Sequence, residues 1–214
     1  MVPTIISVQV GKVKTHILDD GSEWTTAYFK HPVDKPLFLG ETALDGDEQK
    51  HKKFHGGEHR SLLAYCAEHY TKWHNELSKE LPYGAFGENL VISGLDEDTV
   101  CIGDIYTIGD EVRVQVAQPR VPCNQIDWCW GIPSLNRQVM KTMRTGWYMR
   151  TLQTGLVGAG MKMELIERTE PQWTIRAAHE AKIRIASHPD QAMALSQVQS
   201  LEPGWRKRLA AALS

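Results

Sequence analysis

Alternating apolar and polar residues characterise the best-defined strand of this chain. Val112, Val114 and Val116 are separated by Arg113 and Gln115, the period of two that a strand with one buried face requires. The apolar run 105–108 precedes them across a Gly-Asp pair, so the two runs are predicted to form a hairpin. Three further segments are predicted as strands: residues 5–10, 24–30 and 162–168.

Two helices are predicted to interrupt these strands. Residues 67–81 place Tyr70, Trp73 and Leu77 on one stripe with charged residues between them, which indicates an amphipathic helix ending before a proline. Residues 134–143 follow a proline and begin at Ser134, a residue type that commonly caps a helix. Both helices are expected at the periphery of a strand-rich unit.

Beyond residue 169 the pattern becomes helical. Residues 172–187, 191–200 and 203–213 predict three short helices, separated at Pro189 and Pro203, because proline lacks a backbone donor and clashes with the preceding turn. The chain is therefore predicted to be mainly β. A barrel or closed sandwich would span residues 1–168, and a helical extension would span residues 169–214.

Composition narrows the function classes. The 214 residues are 42% hydrophobic and 23% charged, with a net charge of −2. This is ordinary for a soluble globular protein and gives no basic surface for nucleic acid or a charged membrane. No apolar run approaches the roughly 20 residues of a membrane span, and the first ten residues resemble a strand more than a signal peptide. A cytoplasmic protein is expected.

The spacing of the cysteines is also consistent with the expected cytoplasmic location. Cys66, Cys101, Cys123 and Cys129 form no CxxC pair and show no zinc-ribbon or iron–sulfur spacing, so reduced thiols are expected. Cys66, Cys101 and Cys129 lie among apolar residues and are interpreted as core residues, as most free cysteines are. An enzyme with redox activity would then need electrons from elsewhere.

The first segment with chemical potential is His55-Gly56-Gly57, followed by Arg60. Paired glycines let backbone amides approach a ligand, and the neighbouring basic side chains suit an anion such as phosphate. A zinc site is a competing hypothesis, because His51, His55 and His59 are spaced four apart. The glycine pair would destabilise the helix that this spacing needs. A plain glycine turn with solvated histidines is a third interpretation.

The second segment is Gly87-Glu88-Asn89-Leu90, where two polar side chains precede an apolar run. Asn89 could donate and accept at the edge of a heterocycle, and Glu88 could accept from ring NH groups. The alternative is a turn that satisfies its own backbone through the asparagine.

The third segment places Cys123 after Pro119-Arg120-Val121-Pro122. The two prolines stiffen the loop, and the guanidinium three residues upstream favours the thiolate, the form that binds metals. A buried structural cysteine is the alternative. Further along, Gly103-Asp104 is interpreted as a turn, whereas Trp147 and Tyr148 are expected in the core or in a pocket wall, with stacking on a flat cofactor as a further option.

Taken together, these segments resemble the MOSC family, named for the C-terminal domain of molybdenum cofactor sulfurase, and specifically its YiiM-like branch. The matching residues occur in order along the barrel region: His55-Gly56-Gly57 with Arg60, Gly87 to Leu90, Gly103-Asp104, Gln118 to Arg120 with Pro122-Cys123, and Gly146 to Tyr148.

The resemblance implies a MOSC-type β-barrel with a three-helix C-terminal unit and a molybdenum–pterin cofactor whose metal is bound by Cys123. His55, Gly56, Gly57, Arg60 and Arg120 would anchor the pterin and its phosphate, and Asn89 would contact the pterin. Arg120 would also stabilise negative charge near the metal.

By the same resemblance, the chain is expected to reduce N-hydroxylated compounds, of hydroxylaminopurine or amidoxime type, by oxygen-atom transfer to molybdenum. A separate flavodoxin-like or ferredoxin-like protein would supply electrons, and oligomers are possible. Two alternatives stay open: a sulfur carrier with a persulfide on Cys123, and a module that only holds or hands on the cofactor.

Overall fold

An eight-stranded sheet forms the centre of the computed structural model, which describes residues 2–17, 21–50 and 56–213. The strands in these residues are β1 (Thr4–Val10), β2 (Lys14–Ile17), β3 (Glu23–Thr26), β4 (His31–Pro32), β5 (Leu37–Leu39), β6 (Leu62–Cys66), β7 (Leu90–Ser93), β8 (Ile105–Ile108), β9 (Val112–Pro119), β10 (Trp147–Gln153), β11 (Gly155–Val157) and β12 (Met163–Glu167). The large sheet has the order β12-β8-β9-β10-β6-β7-β1-β4, and β2–β3 and β5–β11 form two small antiparallel pairs.

The large sheet curls until strands from its two sides meet. The Ile5 amide in β1 donates to the Met161 carbonyl at 2.9 Å, and the Met163 amide in β12 donates to the Pro3 carbonyl at 2.9 Å. Within the large sheet, β6 and β7 are parallel and the other pairs are antiparallel. The predicted strand-rich barrel core is confirmed, including the β8–β9 hairpin, in which Ile108 pairs with Val112.

Helices cover parts of this sheet. In the described residues they are α1 (Glu68–Leu77), α2 (Gln125–Trp130), α3 (Leu135–Thr142), α4 (Ile175–Ile183), α5 (Pro189–Ser196), α6 (Pro203–Ala211) and a 3-10 helix (Glu58–Arg60). Proline occupies the start of α5 and α6, where its missing amide costs no hydrogen bond. The three predicted tail helices are present: α4 and α6 are shorter than predicted, whereas α5 begins at Pro189, before the predicted start at residue 191, and ends at Ser196. Each helix in the described residues falls short of the length and apolarity that a membrane span needs.

One apolar core joins the barrel to the tail helices. Val112, Val114 and Val116 point inward and are fully buried, and Trp205 and Leu209 from α6 belong to the same cluster. A second cluster beneath α1 contains Tyr65, Trp73 and Phe86, with Tyr70 and Leu77 packed against it, so the predicted apolar stripe of α1 is confirmed. The division of the chain at residue 168 stays a prediction.

Three predicted details are wrong. The strand at 24–30 ends at Thr26, whose hydroxyl accepts from the Tyr28 amide at 3.1 Å and so ends the strand in a turn. The helix at 67–81 ends at Leu77, because Ser78 adopts a left-handed conformation with φ 49°. Ser134 does not cap α3 with its side chain, since it has φ 60°.

Candidate functional site

A cavity beside the barrel gathers residues from distant parts of the chain. Its wall includes several residues predicted from the sequence, namely Cys123, Arg120, Arg60, Asn89 and Tyr148. It also includes residues that the sequence analysis did not assign to a site, among them Thr26, Tyr28, Lys30, Asp47 and Gln125. The fold therefore places the second and third predicted segments at one surface.

Cys123 lies in the loop between β9 and α2. The Cys123 carbonyl accepts a hydrogen bond from the Ile126 amide at 3.3 Å, which ties the loop to the beginning of the helix. Cys66 and Cys101 are buried, whereas Cys123 and Cys129 are half-buried, and all four thiols are free. The prediction of a core residue holds for Cys66 and Cys101 but not fully for Cys129. Of the four, only Cys123 lines the cavity.

Arg120 is a buried cation in the same wall, 3% exposed. Its amide donates to the Gly146 carbonyl at 3.1 Å. Its Nη2 donates to the Phe86 carbonyl at 2.9 Å and to the Tyr28 hydroxyl at 3.1 Å. Its Nη1 is buried and has no hydrogen-bond partner in the described part of the chain. Buried donors normally have partners, so this side chain offers an unused charged donor that suits an anionic ligand.

Arg60 and Tyr148 extend the wall toward the tail helices. The Arg60 guanidinium carbon lies 5.9 Å from the centre of the Tyr148 ring, and its Nη2 lies 4.0 Å from a Glu202 carboxylate oxygen. Burial raises the pKa of Tyr148, while the charges of Arg120 and Arg60 oppose that shift. Trp147 is fully buried, so the expectation of a core or pocket-wall position is confirmed for both aromatic residues.

The glycine pair lies next to this cavity rather than in its wall. Gly56 and Gly57 line a neighbouring cavity, which shares residues 47–49 with the first one. Gly57 has φ 99° and precedes the 3-10 helix that carries Arg60. His55, predicted as a cofactor-binding residue, lies outside the described residues.

The structure does not test the zinc hypothesis, because His51 and His55, two of the three proposed ligands, lie outside the described residues. Among the described residues, no group of three His, Cys, Asp or Glu side chains could hold a metal ion. His59 contacts the Glu58 carboxylate at 3.1 Å, and burial lowers the pKa of its imidazole.

Glu88 and Asn89 have structural partners. The fully buried Glu88 carboxylate accepts from the Gly84 amide at 2.7 Å, from the Phe86 amide at 3.0 Å and from the Tyr70 hydroxyl. Burial raises the pKa of Glu88, and these hydrogen bonds oppose the shift. The geometry thus favours a turn that satisfies its own backbone, with the glutamate as the acceptor.

Asn89 connects three segments around the cavity. Its Oδ1 accepts from the Leu63 amide at 3.1 Å, and its Nδ2 donates to the Gln9 carbonyl at 3.3 Å and to Asp47 Oδ2 at 2.9 Å. Both amide hydrogens therefore have acceptors within the protein. Asn89 lines the cavity, and its predicted contact with a pterin stays a prediction.

No sequence motif marks the additional residues of the cavity wall as part of a site. Tyr28 falls in a run predicted as a strand, and Lys30 and Asp47 are separated by 17 positions in segments without a motif. Thr26 donates to Gln125 Oε1 at 2.8 Å across 99 positions. Only the folded chain brings such residues together.

Comparisons with known proteins identify relatives of this chain. A family model described as the MOSC domain matches residues 51–164. The uncharacterised protein YflK of Bacillus subtilis is 34% identical over 203 residues, covering 95% of this chain and 91% of that protein. A protein named "Reductase" from Gibberella moniliformis is 37% identical over 174 residues, or 80% of this chain, but the match spans only 30% of that relative.

Solved structures show the same relationship. YiiM from Geobacillus stearothermophilus superposes with a TM-score of 0.84 at 30% identity, covering 99% of this chain and 100% of that one. This chain belongs to the MOSC domain family. Within it, the chain falls in the YiiM-like branch, since protein YiiM of Escherichia coli is also 33% identical over 95% of this chain and 90% of that protein.

Proposed function

We propose that this chain binds a molybdenum–pterin cofactor through the Cys123 thiolate and reduces N-hydroxylated small molecules, of hydroxylaminopurine or amidoxime type. One observation carries the proposal: an accessible thiol shares a cavity wall with a buried guanidinium that has an unused donor. MOSC domains are associated with the molybdenum cofactor in general, and one relative is named as a reductase.

The residues of the wall fit such a cofactor chemically. Thiolate sulfur is a soft donor suited to transition metals, and Cys123 presents it to the cavity. The free Arg120 Nη1 suits an anionic phosphate or a charged group near the metal. Arg60, which also lines the cavity, would hold a second anionic part of the cofactor.

When bound, the cofactor supplies two-electron redox chemistry. The chain then contributes positioning and charge. Cys123 holds the metal side of the cofactor, and Arg120, fixed by its bond to the Phe86 carbonyl, stabilises negative charge that develops during the reaction. Tyr148 and Phe86 present aromatic surface at the cavity, which restricts water around the reacting groups.

The proposed reaction also needs a supply of electrons. The sequence shows no flavin motif or iron–sulfur spacing. We therefore propose that a separate flavodoxin-like or ferredoxin-like protein donates the electrons. The other partner of this chain would be its small-molecule substrate, and the reaction would take place in the cytoplasm.

Elemental and pterin analysis tests the proposal directly. Protein made in a molybdate-supplemented host is expected to contain molybdenum and pterin in equal amounts and to reduce benzamidoxime or 6-hydroxylaminopurine with reduced benzyl viologen. The Cys123→Ala variant is expected to lose both the metal and the activity. Cys129→Ala is the matched control, because Cys129 is half-buried like Cys123 but does not line the cavity.

Other outcomes distinguish the alternatives. Molybdenum that is retained in full by Cys123→Ala would place the metal ligand elsewhere and refute the role of this thiol. Labile sulfur on Cys123 without molybdenum would indicate a sulfur carrier. Bound cofactor without turnover, across a panel of N-oxygenated compounds and donors, would indicate a cofactor-holding module.

A further inference from the structure

The Tyr28 hydroxyl occupies a defined position in the cavity wall. Its oxygen accepts a hydrogen bond from Arg120 Nη2 at 3.1 Å, and Tyr28 lines the same cavity as Cys123. In the described part of the chain, Tyr148 is the other phenol of the wall, and its oxygen has no hydrogen bond to Arg120. The two phenols are therefore not equivalent.

The direction of this hydrogen bond leaves the phenol hydrogen of Tyr28 available for a second partner. A guanidinium can only donate, so the Tyr28 oxygen is the acceptor and its own hydrogen points to a different partner. No described residue accepts a hydrogen bond from this hydroxyl. A molecule in the cavity could supply such an acceptor.

Backbone and side-chain contacts fix the orientation of the ring. The Tyr28 amide donates to Thr26 Oγ1 at 3.1 Å, and Thr26 donates in turn to Gln125, two residues after Cys123. On the other side, a Cβ atom added to Gly87 would lie 3.2 Å from the Tyr28 ring. The ring thus packs closely against a glycine that has no side chain, and its hydroxyl is held beside Arg120.

We propose that Tyr28 is a catalytic proton donor, which gives its phenol hydrogen to the substrate nitrogen while Arg120 stabilises the phenolate. This inference rests on the proposed function. Reduction of an N-hydroxylated compound consumes two electrons and two protons. The N–O bond breaks, one proton goes from Tyr28 to the nitrogen of the amine or amidine product, and the other, from solvent water, leaves with the oxygen as water. The electrons come from the donor protein or from reduced viologen.

The electrostatic surroundings act on this role in opposite directions. Burial raises the pKa of Tyr28 above that of a free phenol, which keeps the proton in place at neutral pH but opposes its transfer, whereas the Arg120 charge lowers the pKa. The Arg120 hydrogen bond is therefore the contact that would make the phenolate accessible. After the transfer, the hydrogen bond from Arg120 Nη2 falls on the oxygen that has become negative, and water returns the proton.

The test combines kinetics with a measurement that needs no turnover. Tyr28→Phe keeps the ring against Gly87 and removes only the hydroxyl. We expect wild-type molybdenum and pterin content, little change in KM, and kcat lower by about 100-fold or more, the range of general acid catalysis. A solvent isotope effect on kcat in the wild type should change in the variant. Tyr83→Phe, at an exposed position, is the matched control.

NMR of protein labelled with 13C at tyrosine Cζ gives the second readout, in protein with and without cofactor. The signal that Tyr28→Phe removes should report a protonated phenol at neutral pH, and a phenolate there would overturn the proposal. Tyr28→Phe with the kcat of the wild type would overturn the donor role alone. A cofactor-loaded wild type that reduces no N-hydroxylated compound would instead overturn the proposed function, and the donor role with it.

Discussion

Lys30 Nζ lies 2.7 Å from Asp47 Oδ2, and the two side chains are only 8% and 2% exposed. Asp47 also accepts hydrogen bonds from the Gly11 amide at 2.8 Å and from Asn89 Nδ2 at 2.9 Å. Both charged residues line the cavity that contains Cys123. This buried ion pair therefore joins the turn after β3 to the segment at 47–50 and holds one side of the site together.

Breaking this pair should destabilise the protein strongly. Lys30→Met leaves the Asp47 carboxylate buried without its cation, and the loss of one partner from a buried pair costs about 3–5 kcal/mol. Chemical denaturation would measure the change in the free energy of unfolding. The matched control is Lys12→Met, which removes an ion pair with Glu48 whose side chains are 55% and 44% exposed and should cost less than about 1 kcal/mol. Equal losses in the two variants would contradict the structural role of Lys30.

Asn89→Ala should lower the free energy of unfolding. The variant leaves the buried Leu63 amide without its acceptor and removes one donor from Asp47. An unsatisfied buried group costs about 1–3 kcal/mol, which thermal unfolding would detect. Molybdenum and pterin content per folded molecule is the second measurement, because it reports the predicted contact of Asn89 with the cofactor. A variant with unchanged unfolding temperature but without pterin would instead show that Asn89 acts mainly through the predicted cofactor contact.

The sequence predicted the parts of the fold that have a regular period or a proline boundary. The alternation at Val112, Val114 and Val116 identified β9, and Pro189 and Pro203 marked the boundaries between the tail helices. The strand β6 was not predicted from the sequence. All five of its residues are buried, so it has no alternation of apolar and polar positions. The six-residue α2 is too short to show a helical period.

The candidate site was predictable where one local motif carried the chemistry. In the loop with Arg120 and Cys123, five consecutive positions combine two prolines, a cation and a thiol. The place of Tyr28 in the cavity wall could not be predicted, because it depends on contacts with Arg120 and Gly87, 92 and 59 positions further along the chain. Tertiary pairing of this kind leaves no signal in a single sequence.

Gly87→Ala should disturb the orientation of Tyr28 as well as the backbone. Gly87 has φ 79°, a left-handed conformation that costs an alanine about 1–2 kcal/mol, and the new Cβ would lie 3.2 Å from the Tyr28 ring. Gly160→Ala is a matched control, because Gly160 has φ 84° but no atom of another described segment lies within 4 Å of the added Cβ. Unfolding should show a loss in both variants. Turnover should fall only in Gly87→Ala, and equal turnover in the two would argue against the importance of the Tyr28 position.

His179 should make the free energy of unfolding depend on pH between about 4 and 6.5. Burial, followed by the charge of Lys182, lowers the pKa of His179 from 6.5 to about 4, and its Nε2 lies 3.1 Å from Thr145 Oγ1. Because the unfolded chain takes up this proton at higher pH than the folded protein, stability is complete above pH 6.5 and is lost as the pH falls toward 4. From these values, the free energy of unfolding should drop by about 2 kcal/mol between pH 7 and pH 5.

His179→Gln keeps a polar side chain without a titratable ring, so it should reduce this pH dependence, although its stability at pH 7 should also be lower. Chemical denaturation at several pH values would measure both effects, with His74→Gln at an exposed position as the control. The relevant quantity is the difference in slope between the variants, since other titrating groups contribute to all three proteins. A slope in His179→Gln equal to that of the wild type would show that the buried imidazole does not govern the acid sensitivity of the fold.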